Sequence, residues 1–128
     1  MLTPQLPAFP VTGATFVFNV AVDPTSKYLY IVDAGDSSQN PQVNGQVYGF
    51  NINSTTGAVG AAVTGSPVAT QLDPFGIAID ATGVLIAVDN NSSNSISLIN
   101  IGTGGALSTP TTVTTGVQPL YVTFLNAP

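Results

Sequence analysis

"YLYIVDAGDSS" runs from Tyr28 to Ser38, and "VLIAVDNNSSN", from Val84 to Asn94, repeats its design. Each is a short run of β-branched and aromatic residues that closes on an Asp and opens into Gly, Asn, Asp and Ser. Apolar runs of this length, bounded by turn formers, have strand chemistry. One chain carrying the same arrangement twice calls for a search for an internal repeat.

Working outward from the first copy, the strand-like runs are FVFNVAVD (Phe16 to Asp23), YLYIVD (Tyr28 to Asp33), GQVYGFNI (Gly45 to Ile52) and AVGAAV (Ala58 to Val63). The second copy has FGIAID (Phe75 to Asp80), VLIAVD (Val84 to Asp89), SISLINI (Ser95 to Ile101) and ALSTPTTV (Ala106 to Val113) in the same order. Phe18 and Phe75 lie 57 residues apart, Asp33 and Asp89 56, Val47 and Ile96 49, and Gly57 and Gly105 48. Most of that drift falls in the loop after Asp33, where the first copy carries the additional QNPQVNG. PLYVTF (Pro119 to Phe124) matches PFGIAI (Pro74 to Ile79) at an offset of 45 and begins a third copy. LTPQLPAFPVTG (Leu2 to Gly13) reads like the last strand of a copy whose beginning is absent.

Helix signals are almost missing. No 3.6-residue periodicity outlasts a turn, and Glu and Arg do not occur. Four antiparallel strands every 45 to 57 residues predict β-propeller blades, since sandwiches require no such self-similarity. The expected fold class is all-β, with four-stranded antiparallel blades, about two and a half in number, in an incomplete ring. Residues 2–13 are expected to be the outer strand of a preceding blade, 16–67 blade one, 74–113 blade two, and 119–125 the inner strand of a next blade.

Composition narrows the functions. The 128 residues are 44% apolar and only 5% charged, against about 25% charged in an average domain, so the surface must be solvated by Thr, Ser, Asn, Gln and Gly. Lys27 is the only basic residue and the net charge is −5, which repels phosphate backbones and anionic lipid, so no nucleic-acid partner is expected. No run approaches the roughly 20 apolar residues of a membrane span. The opening MLTPQLPAFP lacks a basic region and is broken by three prolines, so any export signal is expected outside this chain. Without cysteine there is no disulfide framework and no thiol chemistry.

The stretches DPTSKYLYIVD (Asp23 to Asp33), VYGFNI (Val47 to Ile52), TTGAV (Thr55 to Val59) and GSPVAT (Gly65 to Thr70) resemble the bacterial lactonase-family propeller. That family's blades carry the so-called YVTN repeat, and it includes 6-phosphogluconolactonase. The resemblance covers nearly the whole chain. It implies a seven-bladed ring, of which this sequence holds two whole blades with a strand on either side. Strands such as FVFNVAV and VLIAV are apolar on both faces, as blades packed between two neighbours require. Each outward face would present on the order of 300 Å² of flat sheet, at the level of the largest apolar patches of ordinary monomers. The expected partners are therefore further blades, either in other copies of this chain or in a longer protein of which this is the C-terminal part.

Propeller ligands bind on the rim made by the loops between strands two and three and between strands four and one. Here those loops span 33–44, 69–74, 89–94 and 114–119, and their polar members Asp33, Asp36, Asn40, Asp73, Asn90, Asn91 and Gln118 are the candidate ligand residues. Two uses are open to them. Closely spaced Asp and Asn oxygens suit a hard cation or a sugar, and the same residues build tight turns. The turn is favoured, because neither an EF-hand nor a Gly-rich calcium repeat matches the spacing. Asp23 and Asp80 are read as turn formers as well. No metal and no cofactor is expected.

Lactone hydrolysis needs a base and an oxyanion donor array, and the chain has no His, Glu, Arg or Cys. The acid–base residues implied by the resemblance have no position here, and no GxSxG elbow is present, so no catalytic residue is assigned. Tyr28, Tyr30, Tyr48 and Tyr121 are read as inter-blade packing ahead of sugar stacking. The first expectation is a non-catalytic scaffold or binding module of an exported or cell-surface bacterial protein, open to a carbohydrate or small-molecule ligand. A fragment of a lactonase-type hydrolase and a self-assembling structural protein are the alternatives.

Overall fold

The structure, a computed structural model, describes residues 8–125. Strands β1 (Val17–Val22), β2 (Tyr28–Asp33), β3 (Gln46–Ile52) and β4 (Val59–Ala62) form an antiparallel sheet in that order, with the short β5 (Val68–Ala69) also on β3. A second antiparallel sheet runs β6 (Pro74–Ile79), β7 (Leu85–Asn90), β8 (Ser95–Asn100) and β9 (Thr111–Thr114). One 3₁₀ turn, Thr103–Gly105, is the only helical element among the described residues. These are two propeller blades side by side, and the sheets are not closed into a ring.

Alternation along the strands sorts the side chains onto two faces. Tyr30, Val32, Val47 and Val63 from blade one meet Ile86, Val88, Ile99 and Leu107 from blade two in a single buried cluster. Strand partners share a face, so Val20 and Val22 lie with Ile31 and Leu29 on the reverse side of blade one. There Ile31, Tyr48 and Phe50 form a second cluster, covered by Val11 and Ala14. Phe9 meets Phe50 edge to face at 4.9 Å between ring centres.

The connection between β8 and β9 grips blade one. Leu107 N–H donates to the Thr64 carbonyl at 2.9 Å, and the buried Tyr30 hydroxyl donates to the Gly105 carbonyl at 3.0 Å. Glycine is required on both sides of this contact. A Cβ on Gly65 would lie 2.3 Å from the Leu107 carbonyl oxygen, and one on Gly105 2.4 Å from the Tyr28 ring.

Four predicted strands differ from the structure. In blade one the outer strand is split into β4 and β5. Pro67 offers no N–H to the ladder, and between the two pieces the Ser66 hydroxyl accepts the Gly49 N–H at 2.9 Å. In blade two, Ala106 to Val113 is strand only from Thr111, because the 3₁₀ turn and an isolated bridge between Ile101 and Leu107 occupy its first half. Pro119 to Phe124 is in no strand, with no ladder partner among the described residues. It lies beside β6, where a Cβ on Gly76 would sit 3.4 Å from the Tyr121 Cα. Of the expected outer strand 2–13, residues 1–7 lie outside the described residues, and 8–13 contain no strand.

The repeated Asp also lies differently. Asp23 and Asp80, 57 residues apart, close matching hairpin turns: Asp23 N–H bonds the Tyr28 carbonyl and Asp80 N–H the Leu85 carbonyl, each at 3.0 Å. Counted from that turn, the counterpart of Asp33 is Asn90, and that of Asp89 is Val32. A one-residue displacement turns a side chain to the opposite face. The two echoed Asp residues therefore do not occupy equivalent places.

Candidate rim site

The loop after β2 folds back on itself. Asp36 and Val43 exchange N–H to carbonyl bonds at 3.0 and 2.9 Å, and positive-φ Gly35 fits beneath, where a Cβ would lie 2.5 Å from the Asn44 and Val43 carbonyl oxygens. This small hairpin stands beside the loop entering β6. Between them, at the rim where the blades meet, is a cavity of about 240 Å³. Asp36, Ser37 and Ser38 line it from one loop, Asp73 from the other, and Phe16, Phe18 and Phe75 form its apolar walls. The Phe18 and Phe75 rings are 4.5 Å apart, tilted by 45°. A larger cavity, about 350 Å³, lies between Phe9, Pro10 and the reverse face of blade one, with Tyr48 as its only titratable lining group.

Of the seven sequence candidates, the structure brings Asp36 and Asp73 together at this cavity. Asp36 accepts from the Ser38 hydroxyl at 2.6 Å and N–H at 3.0 Å, and from Gln39 Nε2 at 2.8 Å. The Ser38 and Gln39 bonds hold its carboxyl below the usual carboxylate range. Asp73 adopts a left-handed backbone, φ 51°, and accepts from the Ser92 hydroxyl at 2.5 Å.

The other five lie elsewhere. Asp33 is buried and its Oδ1 accepts the N–H groups of Thr15 and Phe16, at 3.0 and 2.6 Å. Asp89 does the same for Phe75 and Gly76, at 3.0 and 2.9 Å, so both pin the start of an inner strand. Asn90 is buried between the blades, bonded to the Ser95 and Ser97 hydroxyls and accepting the Gln71 N–H. Asn40 is exposed at the tip of the loop. Asn91 and Gln118 belong to the next notch, where Asn91 Nδ2 donates to the Pro119 carbonyl and Gln118 N–H to Asn94 Oδ1.

The sequence alone does not mark the three Phe walls, because each falls in a strand-like apolar run. Their signal was position: all stand at the start of an inner strand, which opens onto the rim. Among the tyrosines, Tyr30 and Tyr48 pack in the two buried clusters, and burial pushes both phenols up. Tyr121 is exposed.

Charge is distributed unevenly between the two ends. Asp33, Asp36, Asp73 and Asp89 stand at the rim end of the strands, whereas Asp23, Asp80 and the single base Lys27 are at the opposite hairpins. Among the described residues no group of three or more His, Cys, Asp or Glu is placed to hold a metal ion. No described helix is long and apolar enough to cross a membrane.

No protein-family model matches the chain, and no curated protein matches it in sequence. Solved structures do match in fold. Hydrazine synthase of Kuenenia stuttgartiensis superposes with a TM-score of 0.57 at 18% identity, over 94% of this chain and 29% of that one. A periplasmic gluconolactonase of Pseudomonas aeruginosa superposes with a TM-score of 0.63 at 15% identity, over 84% of this chain and 29% of that one. The chain thus spans under a third of the length of either.

Proposed function

We propose that this pair of blades serves as a non-catalytic scaffold and binding surface in an exported or cell-surface bacterial protein, its outward faces covered by further blades or by other copies. The observation that carries this reading is the bare inner half of blade one's reverse face. The 8–14 segment covers the outer half, whereas Val20 and Val22 are 54% and 50% exposed. On the far side, Val113 and Leu120 are exposed at the outward face of blade two, where the 119–124 segment lies beside β6. The fold shared with a periplasmic gluconolactonase is one support for an extracytoplasmic setting.

Light scattering at micromolar concentration is expected to show the chain larger than a monomer. Val20→Thr with Val22→Thr, which keeps β propensity and removes apolar surface, is expected to shift the distribution toward monomer. A wild-type monomer that melts cooperatively without aggregating would sink the proposal.

A hydrolase reading ranks behind. The buried rim carboxylates Asp33 and Asp89 are engaged by strand N–H groups, and the chain has no His, Glu, Arg or Cys to complete an acid–base pair. The chain alone is expected to hydrolyse 6-phosphogluconolactone no faster than buffer. A saturable rate abolished by Asp73→Asn would put the lactonase-type reading first.

A further inference from the structure

The rim cavity has a composition that the scaffold reading does not use. Its walls are phenyl rings, two of which are unusually open to solvent for the start of a strand: Phe16 is 56% and Phe18 60% exposed. Its polar side chains are carboxylates and hydroxyls, with no cationic side chain among the described residues at this end of the molecule. At about 240 Å³ it falls just below the range of drug-sized pockets, roughly 300 to 1,000 Å³, so its occupant is small.

Calcium is a poor match for this lining. It takes 6–8 oxygen ligands, and Phe16, Phe18 and Phe75 make up a third of the nine lining residues. A neutral polyol would find acceptors and a stacking surface, but no charged donor to fix it. An organic ammonium uses every feature at once. The faces of aromatic rings attract cations, and the carboxylates of Asp36 and Asp73 add Coulomb attraction. The four-Asp rim raises the local concentration of cations before contact.

We propose that the cavity between the Asp36–Ser38 loop and the Asp73–Phe75 entry to β6 binds small organic ammonium ions, with Phe18 and Phe75 as the cation–π surface and Asp36 and Asp73 as counter-charges. Asp73 also accepts from Ser92 of the β7–β8 turn, so the second blade holds the carboxylate in place while the first supplies Phe16 and Phe18. The site exists only where two successive blades meet.

Equilibrium dialysis of the full chain tests this whatever its state of assembly, with choline as probe and dimethylbutanol, its uncharged carbon isostere, as control. Choline is expected to be retained saturably and the isostere at least tenfold more weakly, with glucose not retained and calcium failing to displace choline. Raising salt is expected to weaken choline and leave the isostere unchanged, a readout that needs no variant. Asp73→Asn keeps an acceptor for Ser92 and tolerates the left-handed backbone, and Phe18→Leu keeps the apolar bulk. Each is expected to weaken choline roughly three- to tenfold. Equal retention of choline and its isostere, retention of glucose, displacement by calcium, or full choline binding in both folded variants would each overturn the proposal.

Discussion

Gly65→Ala is expected to remove about 4 kcal/mol of stability, enough to threaten the association of the two blades. Gly65 has φ +81°, and an added Cβ would sit 2.3 Å from the carbonyl oxygen, 3.2 Å from the carbonyl carbon and 3.4 Å from the nitrogen of Leu107. All three are main-chain atoms of the segment whose N–H bonds Thr64, so no side-chain rotation relieves the clash. The left-handed backbone costs a non-glycine residue roughly 1–2 kcal/mol, and overpacking against main chain adds about 1–3 kcal/mol. Gly57→Ala is the control. Its φ is +74°, and an added Cβ meets nothing within 4 Å, so only the conformational cost of about 1–2 kcal/mol should appear. Urea midpoints of the two variants separate the contributions. Equal losses would mean that the blade-to-blade contact at Leu107 contributes nothing.

That contact shows where sequence stops being informative. The strands and their blade order were readable because their cues are local: alternation with period two, and Asp, Asn, Gly and Ser at the breaks. The turns at Asp23 and Asp80 follow from the same local chemistry. The seam between blades depends on residues far apart in sequence. Nothing near Gly65 indicates that Leu107 will press against it, and nothing near Asn90 indicates that it will accept the Gln71 N–H.

The echoed Asp residues show a subtler failure. Asp33 and Asp89 each end an apolar run, and a comparison of letters aligns them. The hairpin turns align Asp33 with Asn90 instead. Both Asp residues bind the N–H groups that open an inner strand, but from faces that a propeller's rotation does not superpose. The rim site was half legible. Asp36 and Asp73 were found by their loop positions, whereas Phe16, Phe18 and Phe75 sit in strands whose ends open on the rim. An apolar residue at a strand end reads the same whether a neighbouring blade covers it or leaves it open.

Asp23→Ala should be the second costly change, at about 3 kcal/mol near neutral pH. Asp23 is 5% exposed as a residue, and its carboxylate accepts the N–H groups of Thr25, Lys27 and Tyr28 at 2.9, 2.7 and 2.7 Å, together with the Thr25 hydroxyl. Alanine leaves those donors without their carboxylate acceptor. Asp80 holds a matching set, Thr82, Val84 and Leu85 N–H with the Thr82 hydroxyl, but in a more open turn where water replaces the carboxylate, so Asp80→Ala should cost about half as much. Acid provides the check. Burial acts to raise both carboxyls, and the donors outweigh it and hold them below the ordinary Asp value. A carboxyl whose folded pKa lies below its unfolded value of about 3.9 stabilises the fold above that pH and loses the contribution as pH falls through the folded value. The gap in urea midpoint between wild type and Asp23→Ala should therefore be full near pH 7 and narrow steadily as pH falls below about 4. A gap that stayed constant across that range would assign the turn's strength to shape alone. A gap that closes assigns it to the ionised carboxylate, which is the same at both hairpins and is the part of the repeat that the fold preserves.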